Sequence, residues 1–224
     1  MPMHGGWTMS MMWMPMPDRT WAAAAASFVG MWILMMVPMM LPTVAPVLWR
    51  HRTAAVKSCA RRPGTLTAVA GVAYFFVWAA LGVAVFPVGA LVATAIMHEH
   101  SLARAAPILA GLTVMLAGAI QLTSWKAHQL ACCRWRSWLG TSRPAGASGA
   151  WRDGIQLGLR CVACCANLMV IPLVVGVMDL RAMLVVASGI TAERLAHRGE
   201  RVARVTGVVL VAAGGLLLAR VVGP

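Results

Sequence analysis

The segment that decides the fold is WAAAAASFVGMWILMMVPMMLPTVAPVLW, residues Trp21 to Trp49, which contains no charged side chain. About 20 apolar residues in a helix cross the hydrocarbon core of a bilayer. The segment is longer than that, and it therefore predicts a membrane-spanning helix.

Similar apolar segments follow along the chain, and the overall composition agrees with them. Residues are 60% hydrophobic and only 11% charged, less than half the charged fraction of an ordinary soluble domain. The predicted fold class is all-α, a polytopic transmembrane helical bundle of about six spans, and water-soluble enzyme folds are excluded. The five further spans are predicted at residues 65–97, 106–124, 154–178, 180–195 and 202–222. Pro87 leaves open whether the second span ends near Phe86.

The chain divides into a tail and a membrane domain. Residues 1–20 form a Met/His-rich tail, and residues 21–224 form the six-helix transmembrane domain. A polar segment at about residues 125–153 predicts a long loop between the third and fourth spans. Its part from Gly140 to Ala150 is rich in Gly, Ser, Ala and Pro, which is typical of a flexible loop.

The distribution of basic residues predicts the topology. The net charge is +13, with 19 Lys and Arg against 6 Asp and Glu. All but four of the basic residues fall in or beside the loops on one side of the predicted bundle; the exceptions are Arg19, Arg104, Arg181 and Arg220. Because Lys and Arg collect in cytoplasmic loops, the pattern predicts three cytoplasmic loops and periplasmic N and C termini. The charge is thereby explained without a nucleic-acid partner.

Methionines are concentrated at the start of the chain. Most of the 17 lie in the first 40 residues, where His4 accompanies those of the tail. Thioether sulfur is a soft ligand that suits Cu(I), so the tail is a candidate copper-collecting segment. Within the first span, Met31, Met35 and Met39 recur every four residues and share one helical face. That stripe is either part of a soft-metal path or ordinary helix packing by a flexible side chain.

Cysteines form a second cluster of soft ligands. Cys161, Cys164 and Cys165 begin the fourth span, and spacings of three and four residues place their sulfurs on one helical face. By the predicted topology they lie near the cytoplasmic side, where thiols stay reduced. Such thiolates are candidate ligands for Cu(I), with Zn(II) as a possible alternative. Burial of three small apolar side chains is the competing interpretation.

Several polar residues near the predicted span ends complete the candidate set. His98 and His100 point apart on a helix but the same way in an extended segment, where they could chelate a metal; an interfacial polar patch is the preferred interpretation. Asp179 lies in the outer turn between the fourth and fifth spans, with Arg181 as its candidate partner. Glu193 lies near the inner end of the fifth span, where Gln121 could pair with it, and ionisable groups at membrane depth are commonly functional.

Three motifs resemble a known family. The first is the run from Gly30 to Pro42, with Met35, Met36, Met39 and Met40. The second is Cys161-x-x-Cys164-Cys165 with Leu168-Met169, followed by Gly176-Val-Met178-Asp179-Leu, and the third is Thr191-Ala-Glu193-Arg-Leu. Together they are similar to the bacterial predicted metal-binding integral membrane protein family, over nearly the whole chain. The resemblance implies a multi-pass protein of the bacterial inner membrane with a metal site drawn from the Met, Cys, Met178, Asp179 and Glu193 positions. Where some relatives carry His before the first Cys, this chain reads Gly158-Leu-Arg160.

These observations favour a membrane protein that handles a soft metal ion, most directly Cu(I), for transport or for delivery to a metal-accepting partner. The alternative is a structural or assembly subunit of a larger membrane complex without a metal of its own. A membrane redox enzyme is a weaker third interpretation, because adjacent Cys164 and Cys165 are poorly placed for a disulfide. No phosphate-binding loop and no nameable catalytic constellation occurs in the sequence.

Overall fold

The computed structural model describes residues 20–57, 62–138, 146–176 and 179–222, and this part of the chain is all-α. It contains seven helices: α1 Trp21–Lys57, α2 Pro63–His98, α3 His100–Gln121, α4 Ser124–Trp138, α5 Gly146–Val175, α6 Leu180–Leu195 and α7 Gly199–Val222. Residues 1–19 of the predicted periplasmic tail, His4 among them, lie outside the described residues.

Five of these helices, α1, α2, α3, α5 and α7, are long and apolar enough to cross a membrane. Their outward faces carry large apolar side chains, such as Leu34, Leu91 and Leu216, which are 76%, 70% and 64% exposed. A helix that is apolar all round is typical of a membrane span, so these features indicate a membrane protein. Helix α6 has 16 residues and is roughly 24 Å long, which is shorter than a typical hydrocarbon core of about 30 Å.

The structure differs from the sequence prediction in the segment between α3 and α5. Residues 125–153 were expected to form a loop, but residues 124–138 form helix α4, and α5 begins at Gly146. Three buried residues of α4 recur at helical intervals and pack on the bundle, which explains the helix; they are Lys126, whose methylene chain is apolar, Leu130 and Cys133. Within the expected flexible segment, residues 140–145 lie outside the described residues and 146–150 are helical.

Proline does not interrupt the long helices. Helix α2 continues through Pro87 to His98, and α1 continues through Pro38, Pro42 and Pro46. Pro38 and Pro42 lie on the exposed side of α1, opposite its buried methionines. The prolines therefore face away from the core that the methionines help to build.

Glycines bring two pairs of helices into close contact. Between α3 and α7, a Cβ added to Gly118 would lie 2.8 Å from the Gly207 carbonyl oxygen, and one added to Gly207 would lie 2.9 Å from the Gly118 oxygen. Between α2 and α5, a Cβ on Gly154 would lie 2.2 Å from the Ala70 oxygen. Small residues let membrane helices approach in this way, and the α2–α5 contact places Tyr74 beside the cysteines of α5.

Aromatic side chains join α1 to α2. The indole Nε1 of Trp32 donates a hydrogen bond to the Trp78 carbonyl oxygen at 2.9 Å, and the Phe28 and Phe86 rings lie 5.4 Å apart. Gly82 leaves room for the Trp32 ring, because a Cβ there would approach it to 2.6 Å. This packing fixes the rotation of α1 and directs its buried methionines toward α5 and α6.

Candidate soft-metal site

The three cysteines of α5 lie in the centre of the bundle. Cys161, Cys164 and Cys165 are 0%, 1% and 2% exposed. Cys161 and Cys165, one helical turn apart, have their sulfurs 4.0 Å from each other. All three are free thiols, so each is available as a ligand when deprotonated.

A thioether from α1 joins this cluster. The Met40 Sδ atom lies 4.0 Å from the Cys161 Sγ atom, and Met40 is fully buried. Metal–sulfur bonds of about 2.3 Å allow two ligand sulfurs to lie up to about 4.6 Å apart. Cys161 is therefore within ligand-sharing distance of both Cys165 and Met40.

Two polar side chains bind the same Cys161 sulfur. The Tyr74 hydroxyl of α2 donates a hydrogen bond to it at 3.0 Å, and the Arg194 guanidinium of α6 donates another at 2.9 Å. Two donors, one of them cationic, stabilise a sulfur that carries negative charge. The arrangement therefore stabilises the thiolate form of Cys161, which is the form that binds metal ions.

A fourth cysteine reaches the cluster from α4. The Cys133 thiol donates a hydrogen bond to the Arg160 carbonyl oxygen at 3.4 Å, and its side chain also hydrogen-bonds to Cys164. Together with burial, the bond to Cys164 raises the pKa of the Cys133 thiol well above its usual range. Cys133 therefore links α4 to the cysteines of α5.

A buried ion pair supports the cluster from one side. Lys126 of α4 is fully buried, and its Nζ atom lies 3.1 Å from Glu193 Oε2 of α6. The same ammonium donates to the Cys164 carbonyl oxygen at 2.6 Å and to Asn167 Oδ1 at 3.4 Å, so all its three donors have acceptors. The amide of Gln121 donates to Glu193 Oε1, as the sequence predicted. Lys126, counted among the loop charges, is thus an interior residue that links α4 to α5 and α6.

The predicted methionine stripe is buried, but a different methionine touches the cysteines. Met35 and Met39 are 8% and 5% exposed and belong to the core around the site, with Met31 half-buried at its edge. Among the described sulfurs, Met40 is the thioether in contact with Cys161. Met31, Met35 and Met39 remain predicted ligands.

The remaining predicted ligands lie elsewhere. Asp179 caps α6: its Oδ1 atom accepts hydrogen bonds from the backbone N–H groups of Arg181 at 2.8 Å and Ala182 at 3.3 Å. Its contact with Arg181 is therefore through the backbone, and it lies at the opposite end of α6 from Arg194. His98 is exposed at the end of α2, and His100 begins α3. Met178 lies outside the described residues.

The described residues contain no group of three His, Cys, Asp or Glu side chains arranged to hold a metal ion. The sulfur set around Cys161 consists of two thiols and a thioether, and it has two fewer Cys or His ligands than a typical four-coordinate zinc site. Thioether participation is characteristic of Cu(I) sites. The donor chemistry of Cys161, Cys165 and Met40 therefore fits Cu(I) better than Zn(II).

Comparison with known families agrees with this chemistry. Residues 29–217, more than four fifths of the chain, match the family described as PpoB2, copper chaperone. The chain belongs to the PpoB2 copper chaperone family. The match extends from α1 to α7 and includes all the helices that contribute to the sulfur cluster. No curated protein and no solved structure matches the chain.

Membership of the PpoB2 family gives the site a functional context in copper handling. Sequence reasoning alone did not assign Tyr74, Arg194, Lys126 or Cys133 to the site. One signal was present for Tyr74, since it is the single tyrosine of the chain and lies inside an apolar span. Arg194 was visible only as the neighbour of Glu193, and nothing in the sequence places it on Cys161.

Proposed function

We propose that this PpoB2-family protein binds Cu(I) in the buried sulfur cluster and delivers it to a partner protein. The observation that carries the proposal is the position of Cys161, whose sulfur lies 4.0 Å from both Cys165 Sγ and Met40 Sδ. Soft, fully buried donors bind Cu(I) strongly and keep it from water. The family description, copper chaperone, favours delivery over transport.

The charged side chains around the site match the net charge expected with a monovalent ion bound. A Cu(I) ion bound by two thiolates and a neutral thioether forms a unit of net charge −1, and the Arg194 guanidinium lies 2.9 Å from one of those sulfurs. The Lys126–Glu193 pair is neutral overall. The site therefore balances a singly charged copper–thiolate unit without a further counter-ion.

We infer that the protein lies in the bacterial inner membrane with six crossings, α6 included, and with both termini periplasmic. In this topology the cytoplasmic side holds the C-terminal ends of α3 and α6 and the whole of α4. The sulfur cluster then lies nearer the reduced compartment, where thiols persist. Reporter fusions at the two termini test the topology, and a cytoplasmic location for either terminus contradicts it.

Metal analysis tests the proposed site. Protein purified in mild detergent under anaerobic, reducing conditions is offered Cu(I), beside the triple variant Cys161→Ser, Cys164→Ser, Cys165→Ser. We expect close to one copper per chain in the natural protein and a large loss in the variant, with helix content checked by circular dichroism. Equal copper in both proteins contradicts the site and favours a structural subunit of a membrane complex.

An experiment in sealed proteoliposomes distinguishes delivery from transport, because it measures copper on the acceptor and copper in the lumen separately. For delivery, copper-loaded protein transfers Cu(I) to an acceptor on its cytoplasmic side without accumulation of copper in the lumen. Luminal accumulation that depends on Cys161 contradicts delivery and establishes transport.

A further inference from the structure

Helix α4 carries soft donors on two opposite faces. Its inner face holds Lys126, Leu130 and Cys133, which are 0%, 1% and 6% exposed. Its outer face holds His128, which is exposed, and Cys132, which is partly exposed. Residues four or seven positions apart lie on the same side of a helix. This repeat groups Leu130 and Cys133 with Lys126, and it groups Cys132 with His128.

The outer donors are already paired. The Cys132 Sγ atom lies 3.5 Å from His128 Nε2, one turn away on the same helix. An imidazole nitrogen and a thiol at this spacing form a two-coordinate donor pair that suits Cu(I). The proposed copper cluster does not use this pair, which stands outside the bundle core.

Cys133 links the inner face of α4 to α5. It follows Cys132 directly in the chain, and its thiol donates a hydrogen bond to the Arg160 carbonyl oxygen at 3.4 Å, one residue before Cys161 of the buried cluster. The thiols of α4 and α5 therefore increase in burial, from Cys132, which is partly exposed beside His128, to Cys133 and Cys164, which are 6% and 1% exposed.

We propose that His128 and Cys132 form a surface transfer site for Cu(I), with Cys133 as the intermediate ligand between that site and the buried cluster. This inference rests on the proposed function. The partner is a protein that offers a soft donor, a thiolate or a thioether, close to α4. The transfer site explains how copper held by fully buried sulfurs can reach a partner without opening of the bundle.

Each step is an exchange of ligands without electron transfer. A bond from Cu(I) to the incoming sulfur forms as the bond to an outgoing sulfur breaks. The incoming thiol loses its proton and the outgoing thiolate gains one, so charge and protons balance and copper stays Cu(I). Cys133 suits the intermediate position because it follows Cys132 directly in the chain, is buried and contacts α5.

The rate of copper release tests the inference. Protein loaded with Cu(I) in detergent is mixed with a coloured, water-soluble Cu(I) chelator, and transfer is followed by absorbance. We expect the double variant His128→Ala, Cys132→Ser to bind the same amount of copper but to release it at least about tenfold more slowly, a barrier raised by ~1.4 kcal/mol. Cys133→Ser is expected to slow release while His128 and Cys132 remain in place.

The matched control is Ala131→Ser, an exposed position of the same helix, which should leave the release rate unchanged. An unchanged rate in the double variant overturns the transfer site but leaves the buried copper site standing. Failure of the proposed function gives a different result: the triple variant of Cys161, Cys164 and Cys165 then binds as much copper as the natural protein.

Discussion

Arg194 of α6 donates a hydrogen bond to the Cys161 sulfur of α5 at 2.9 Å. These residues are 33 positions apart in the chain, and their contact ties the charge of α6 to the sulfur that also faces Cys165 and Met40. A guanidinium cannot lose its proton in a protein, so Arg194 is a permanent positive charge at the cluster. It therefore lies beside the sulfur that would carry negative charge as a thiolate ligand.

Removal of that charge should weaken copper binding. We expect Arg194→Gln to lower the Cu(I) affinity by about 10- to 100-fold, because a hydrogen bond to a charged group contributes about 1.5–3 kcal/mol. Arg194→Lys keeps the charge and should lose less. Competition with a chelator of known affinity measures the effect. The control is Arg198→Gln, an exposed arginine after α6; equal losses in both variants would refute a specific role for Arg194.

Met40 should contribute a ligand, whereas Met36 should contribute only packing. Both are buried, at 0% and 1% exposure, one turn apart on α1. Leucine approximates methionine in volume and costs little in packing, so Met40→Leu removes the sulfur with a small structural change. We expect weaker Cu(I) binding and one fewer sulfur neighbour by X-ray absorption for Met40→Leu, and no change for Met36→Leu. Unchanged copper coordination in Met40→Leu would exclude the thioether as a ligand.

The protein should be less stable with one member of the Lys126–Glu193 pair removed than with both members replaced. Lys126→Met leaves Glu193 buried with Gln121 as its remaining hydrogen-bond donor. Loss of one member of a buried ion pair costs about 3–5 kcal/mol, whereas replacement of both members by apolar residues costs much less. Thermal unfolding in detergent should therefore show a large decrease for Lys126→Met and partial recovery for Lys126→Met with Glu193→Leu. Lys57→Met, at an exposed lysine, is the control, and a double variant no more stable than Lys126→Met would argue against the pair.

Gly154 should be intolerant of a methyl group. Its Cβ would lie 2.2 Å from the Ala70 carbonyl oxygen, so α2 and α5 must separate in Gly154→Ala. Overpacking of this kind costs about 1–3 kcal/mol, and the shift also moves Tyr74 away from Cys161. We expect a lower unfolding temperature together with weaker copper binding. Gly215→Ala is the matched control, because nothing lies within 4 Å of its added Cβ; similar behaviour of the two variants would contradict the close contact.

Much of the architecture followed from patterns local in the sequence. Each of the six apolar segments corresponds to a helix, because a run of apolar residues needs no long-range information to form one. Helix α4 was missed, since its polar composition resembles a loop and its amphipathic character becomes meaningful only against the bundle. Gln121 and Glu193 were expected to pair because both lie near the same predicted membrane face, and the structure shows that pair.

By itself, the sequence determined the all-α class, the apolar helices, and the shared face of Cys161, Cys164 and Cys165, because each depends on hydropathy or on the helical repeat. Only the tertiary structure decided which distant residues meet those cysteines. Met40, Tyr74, Cys133 and Arg194 come from four other helices, and the rotation of each helix is set by packing, such as Trp32 against Gly82 and Gly154 against Ala70. Contacts across helices depend on that rotation, which no periodicity within a single segment specifies.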